Sequence, residues 1–198
     1  AFIFSGCSSL IQNPVEQDGG TGSLTVLSGS SGNQRYVDAD SLGFAKALVN
    51  GTGISKGLEP SSSGFISIQN GRGSLEIDKI PLGKNRIVTV QAYDDSKSVI
   101  TGQTIRAVVD IQKSVNSVTV NWPSTALANV FYELLEMEDD DFSVSQITEA
   151  EKSAIYSAID SGVHASLIDS KNIAKDFKAG GIASLQPKET YIRKPGKL

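Results

Sequence analysis

Six carboxylates crowd nine residues of this chain, Glu133, Glu136, Glu138, Asp139, Asp140 and Asp141, with no base among them. A calcium loop needs oxygen ligands at alternating positions, and Asp139, Asp141, Ser143 and Ser145 begin such a series. The series then fails, because the glycine of the sharp turn is missing and the twelfth position is Ala150 rather than Glu. The run therefore reads as a solvated acidic helix end or linker, and no metal ligand is assigned.

Other chemistry-bearing residues fall short in similar ways. Gly51-Thr52-Gly53-Ile54-Ser55-Lys56-Gly57 has the look of a phosphate-cradling loop, but Lys56 stands where a third glycine is needed and no crossover unit surrounds it. It reads as a hairpin loop. His164 is the only histidine, with no second histidine or cysteine nearby to share a zinc ion, so a surface or capping role is expected. There is no Gly-x-Ser-x-Gly elbow and no His-Glu-x-x-His pattern. No catalytic residue and no cofactor is assigned, and a binding protein is expected rather than an enzyme. Trp122, the last inward member of an alternating run, reads as core rather than as a sugar-stacking platform.

The elements that would position these residues divide the chain in two. From Ser23 to Trp122 apolar and polar residues alternate, as in Val118, Val120 and Trp122 against Thr119 and Asn121. Period-two alternation marks half-buried strands, here near 23–28, 43–50, 64–69, 74–79, 86–94, 103–112 and 116–122. Gly-, Asn- and Pro-rich breaks between them supply turns. Seven short strands with no interleaved helix predict a mainly β protein, an antiparallel Ig-like or prealbumin-like sandwich. After Pro123 the period becomes helical: Ser124 or Thr125 could cap a helix to about Met137. Thr148-Glu149-Ala150-Glu151 is a capping box, with Gly162 as a stop, and Asp169 or Ser170 opens a third helix ending before Gly180.

Charge follows the same division. Residues 1–125 carry ten basic and ten acidic groups; residues 126–198 carry eight against twelve and supply the whole net charge of −4. That balance excludes nucleic acid as a partner, since binding its backbone requires clustered Lys and Arg. The segment 186–198 is a basic tail, expected to be disordered or to meet an acidic surface such as 133–141. No stretch approaches the roughly 18 apolar residues of a membrane-spanning helix.

Cys7 is the only cysteine, and its neighbourhood is unlike the rest of the chain. It could pack as a small hydrophobe, act as a nucleophile or accept a lipid; nothing local lowers its pKa. Ala1-Phe2-Ile3-Phe4 followed by Ser5-Gly6 has the form of the end of a secretory signal. Phe4-Ser5-Gly6-Cys7 resembles the lipobox of bacterial lipoproteins, with Phe4 where Leu is usual. The resemblance implies that Cys7 is the lipid attachment site, diacylglyceryl-modified and N-acylated after cleavage of the signal peptide. Residues 8–22, rich in Ser, Gln, Asn and Gly, then serve as a flexible tether.

A second stretch, Leu75 to Asp94, resembles the Pro-x-Gly turn and following strand of prealbumin-like and carboxypeptidase-regulatory-like modules, with Lys84-Asn85-Arg86 replacing the aromatic often found after the glycine. It implies a fold, not an activity. Ser23 to Ser28 carries no lysine for the isopeptide crosslink of some adhesin relatives. The organisation expected is 1–22 signal end and tether, 23–123 sandwich, 124–185 helical segment and 186–198 tail. The function expected is that of a lipid-anchored protein of the bacterial cell envelope, periplasmic or surface-exposed on the outer membrane. It binds a protein or glycan through sandwich loops near 29–42, 51–63 and 94–102. The alternative is an accessory subunit of an envelope complex that docks through its helical half.

Overall fold

The structure is a computed structural model that describes residues 20–28, 44–58, 66–67, 73–113, 116–120 and 122–193. Among the described residues eight strands come first: β1 (Thr21–Ser28), β2 (Phe44–Gly51), β3 (Ile54–Leu58), β4 (Ile66–Ser67), β5 (Gly73–Pro81), β6 (Gly83–Tyr93), β7 (Val99–Ile111) and β8 (Asn116–Val120). Three helices follow, α1 (Trp122–Leu135), α2 (Glu149–Ser157) and α3 (Ser170–Gly180), with short 3₁₀ turns at Val144–Gln146, Ala165–Leu167, Gly181–Ser184 and Lys188–Tyr191.

Alternation sorts the side chains as a pleated strand must. On β2, Ala45, Ala47 and Val49 are buried while Phe44, Lys46 and Leu48 are half-buried on the other face. Two sheets result, β5-β1-β8 and β3-β2-β6-β7, with β4 also paired to β2. Leu24, Val26, Ile77, Ile80 and Val120 from the first sheet share one core with Val49, Val88, Val90, Ile105 and Ala107 from the second. The outer face of the second sheet feeds another core, in which Ile87 and Val108 meet Phe131, Leu134, Ile155, Ile173 and Phe177 of the helices. The architecture is thus sheet, sheet, helical layer.

Several expectations need correction. The sheets are not all antiparallel, since β1 pairs parallel with β8. An alternating pattern carries no sign of strand direction, and β7 and β8 lie in different sheets. Ile54–Leu58, read as part of a loop, is a strand paired with β2; only Gly51-Thr52-Gly53 makes the turn. The strand expected over 64–69 is described only at Ile66–Ser67. Trp122 does not end a strand: β8 stops at Val120 and Trp122 opens α1.

Ser124 and Thr125 do not cap that helix but fasten it to the sheet. Ser124 Oγ donates to the Arg106 carbonyl (2.7 Å) and Thr125 Oγ1 accepts the Arg106 N–H (2.9 Å). The outer edge of β7 is satisfied there, which removes a strand edge from water. The Thr148/Glu151 capping box forms and Asp169 caps α3. The described part of the tail, up to Arg193, packs on the helical layer. Tyr191 is buried and donates to Asp176 (2.8 Å), and Ile192 bridges Ile168. Lys188 and Arg193 pair with Asp160 and Asp169, so the basic tail meets acids other than 133–141.

Candidate functional site

The second sheet has two ends with opposite character. At the first, Pro81-Leu82-Gly83 turns the chain into β6, which opens with a register shift between Gly83 and Arg86 and with Asn85 at φ 55. This bulge turns both Asn85 and Arg86 inward, each 1% exposed. The Arg86 guanidinium donates to the carbonyls of Thr52 and Leu82, the latter at 2.8 Å. It passes between two glycines: a Cβ on Gly51 would stand 2.8 Å from Arg86 Cδ and one on Gly83 2.6 Å from Nη2. Burial pulls this guanidinium below its ordinary pKa, and the Glu138 carboxylate works the other way.

Thr52 links that cation to the helical layer. Its carbonyl takes Arg86 and its hydroxyl donates to Glu138 Oε1 at 2.5 Å. The same oxygen accepts from Ser143 Oγ (3.0 Å) and Val144 N (2.7 Å). Asn85 adds a second link, its amide donating to Val144 O and Ile147 O at 2.9 Å and its backbone N–H to Asp110 Oδ1 at 2.8 Å. Asn50 Oδ1, Asn85 Oδ1 and Arg86 Nε are buried without a protein partner. The arrangement holds a charge and joins two layers. Its cation is sealed from substrate, so it is read as architecture.

The acidic run is dispersed by this packing. Glu138 turns into the junction, and Asp139 pairs with Lys178 at 2.5 Å and accepts the Asp141 N–H. Lys178 also donates to the Met137 carbonyl and lies over Phe142. That cation holds the Asp139 carboxyl below the usual range, helped by the Asp141 N–H. Asp140 and Asp141 remain exposed. Among the described residues no group of three His, Cys, Asp or Glu is arranged around a metal position. His164 caps the Ala165–Leu167 turn, its Nδ1 accepting the Ser166 N–H at 3.3 Å.

At the other end of the sheet Phe44 and Tyr93 are direct cross-strand partners. Lys97 Nζ lies 5.6 Å from the Phe44 ring centre and Lys46 Nζ 6.0 Å from that of Tyr93. Both rings are half-buried. Lys97, at φ 63, sits in a turn built by Asp94: its carbonyl accepts Lys97 N–H (2.9 Å) and its carboxylate accepts Ser96 Oγ (2.7 Å) and Ser98 N–H (2.9 Å). These donors, the Ser96 hydroxyl first, hold the Asp94 carboxyl below its ordinary value. Beside the turn Val99 is 57% exposed.

β6 runs from one end to the other over 11 residues, which at about 3.3 Å per residue separates them by roughly 30 Å. The described parts of the expected contact loops lie at opposite ends of the sheet. Gly51–Gly53 lies at the Arg86 end and the turn at 94–98 at the Tyr93 end; most of 51–58 is strand. Residues 29–42, 59–63 and Cys7 lie outside the described residues. Sequence reading missed Thr52, Asn85 and Arg86, although a basic residue amid the alternation of a strand that starts after Pro-x-Gly was a visible signal. The chain matches no family model, no curated protein and no solved structure.

Proposed function

We propose that this protein is a lipid-anchored bacterial envelope protein that binds a protein or glycan, without catalysis, at the Tyr93 end of its sandwich. One observation supports this most directly: Gly20, the first of the described residues, lies at the Arg86 end, where its carbonyl accepts the Leu82 N–H. A tether from Cys7 would then hold that end toward the bilayer and present Phe44, Tyr93, Lys97 and Val99 away from it. Paired aromatic rings with cations beside them suit recognition, since both groups give contact area and directional attraction. For the fold we propose an Ig-like or prealbumin-like sandwich, supported by the single core shared by two sheets.

Two measurements test this. Intact mass of the membrane-fraction protein, expressed as a precursor, is expected to show acylation at Cys7, and Cys7→Ser to abolish the mass shift and the membrane retention that withstands high salt. Pull-down and glycan-array binding are expected to be lost in Lys97→Ala/Val99→Ser and kept in Lys84→Gln at the opposite end. Equal binding by both variants rejects the Tyr93 end as the contact surface.

A second reading, docking through the helical half, is favoured by Tyr156 at 45% and Ile182 at 49% exposure on elements that pack together, α2 and the Gly181–Ser184 turn. Co-purification of an envelope partner that is lost in Tyr156→Ser/Ile182→Ser would support it.

A further inference from the structure

The end at which the chain enters carries a basic rim on its sandwich side. Lys79 and Lys84, both exposed, bracket the segment Ile80 to Gly83 that receives Gly20, and Lys113 runs alongside, with Cε 3.4 Å from where a Cβ on Gly20 would sit. Asp78 is the exposed acid beside them on β5, while Asp110 is engaged by the Asn85 N–H and stands 4.0 Å from Lys152. On the helical side of the same end Asp140, Asp141 and Glu149 are exposed, Glu149 paired with Lys152. This end is therefore dipolar: basic where the chain enters, acidic where the helices close it.

We propose that the rim formed by Lys79 and Lys84 seats the protein on an anionic bilayer surface. The proposal rests on the lipid-anchor reading above. Thirteen residue steps from Cys7 to Gly20 allow the entry to lie anywhere up to about 45 Å from an anchored cysteine, a reach that lets an anchored chain bring the rim against the headgroups. Lysines act on anionic lipid only within a Debye length of about 8–10 Å, and each then strengthens association roughly fivefold. Repulsion of Asp140 and Asp141 lifts the helical side, so the molecule leans on its sandwich edge and the Tyr93 end points outward.

The test uses the full chain with Cys7→Ala, which carries no acyl group, and vesicles of phosphatidylcholine with or without phosphatidylglycerol. Co-sedimentation is expected to be stronger on the anionic vesicles, to weaken with added salt, and to fall about 20-fold in Lys79→Asn/Lys84→Gln. Asn is chosen at position 79 because that residue has φ 59. Lys171→Gln/Lys175→Gln, on exposed positions of α3, is expected to bind as before. Equal affinity for neutral and anionic vesicles, or no change in the rim variant, overturns the seat. Acylation measured by mass on the unsubstituted protein is separate: an acylated protein whose Cys7→Ala form ignores lipid charge refutes the seat alone, and an unacylated one refutes the anchor.

Discussion

The two ends of the β2–β6 pair hold the same kinds of group and treat them in opposite ways. At one end Arg86 is fully buried, threaded past Gly51 and Gly83 and satisfied by two backbone carbonyls. At the other, Lys46 and Lys97 rest on aromatic rings that keep one side toward water. A cation in the interior is tolerable only when surrounding groups replace its hydration, which demands fixed geometry from many residues at once. A cation on a half-exposed ring keeps most of its water and makes few demands. The first end should therefore resist substitution more strongly than the second.

Gly83→Ala should break the contrast most sharply. The new methyl would stand 2.6 Å from a guanidinium nitrogen that is enclosed on all sides, so Arg86 must abandon the Thr52 and Leu82 carbonyls. Losing the partners of a buried charge costs about 3–4 kcal/mol, expected as a lower urea midpoint, whereas Lys84→Ala next to it should change stability by less than about 0.5 kcal/mol. A loss under about 1 kcal/mol for Gly83→Ala would mean that Arg86 can relocate, and the contrast between the ends would fall.

Glu138→Ala comes next. It removes the acceptor of three donors, Thr52 Oγ1, Ser143 Oγ and Val144 N, two of which belong to the helical layer; Val144 N is left without a partner, while the hydroxyls keep each other and Ser145 Oγ within reach. A cost of about 2–3 kcal/mol follows, with faster hydrogen exchange concentrated at 138–147 and none at the Tyr93 end. Glu138→Gln sharpens the point, because one oxygen takes all three bonds and a neutral amide oxygen can still accept them. It should lose about half as much, and equal losses would show that charge rather than hydrogen bonding holds the layers together.

Much of this was readable from local pattern and some was not. Thr148 to Glu151 announced a capping box because cap chemistry is set within four residues, and Ala45, Ala47 and Val49 announced a strand because the pleat has period two. The parallel pairing of β1 with β8 was hidden, since alternation is the same in either direction. Glu138 was grouped with five other carboxylates as solvated, yet its role depends on Thr52, 86 residues away. Arg86 was read only as the start of a strand and as part of the Lys84-Asn85-Arg86 segment after the glycine, and the bulge at Asn85 that turns it inward has no local sign. Long-range contacts and register faults decide where a polar residue points, and neither leaves a periodic trace.

At the Tyr93 end the expected stability effects are small. Loss of the cation–π contact between Lys97 and Phe44 in Lys97→Ala is worth about 0.5 kcal/mol at an accessible site, and a small shift of the urea midpoint is expected. A loss above about 1.5 kcal/mol would make that turn structural rather than available, which would remove the reason for assigning recognition to it.

The finest test compares two carboxylates, one at each end, whose pKa values are lowered for different reasons. Asp139 is held down first by the hydrogen bond from the Lys178 ammonium and then by the Asp141 N–H, with the charge of Lys178 adding to both, whereas Asp94 is held first by the Ser96 hydroxyl and then the Ser98 N–H, neutral donors only. In both cases the folded value lies below the unfolded one, so the stabilisation is full above the ordinary carboxylate range near 3.9 and is lost as pH falls through the folded value. Salt separates the causes, because mobile ions screen a charge–charge attraction between exposed groups far more than a short hydrogen bond. Carboxyl titration by NMR at low and at 1 M salt should therefore bring Asp139 back toward its ordinary value while Asp94 stays depressed. If both relax together, the Asp94 turn is held by charge after all, and Lys97 is committed to its own loop instead of to a ligand.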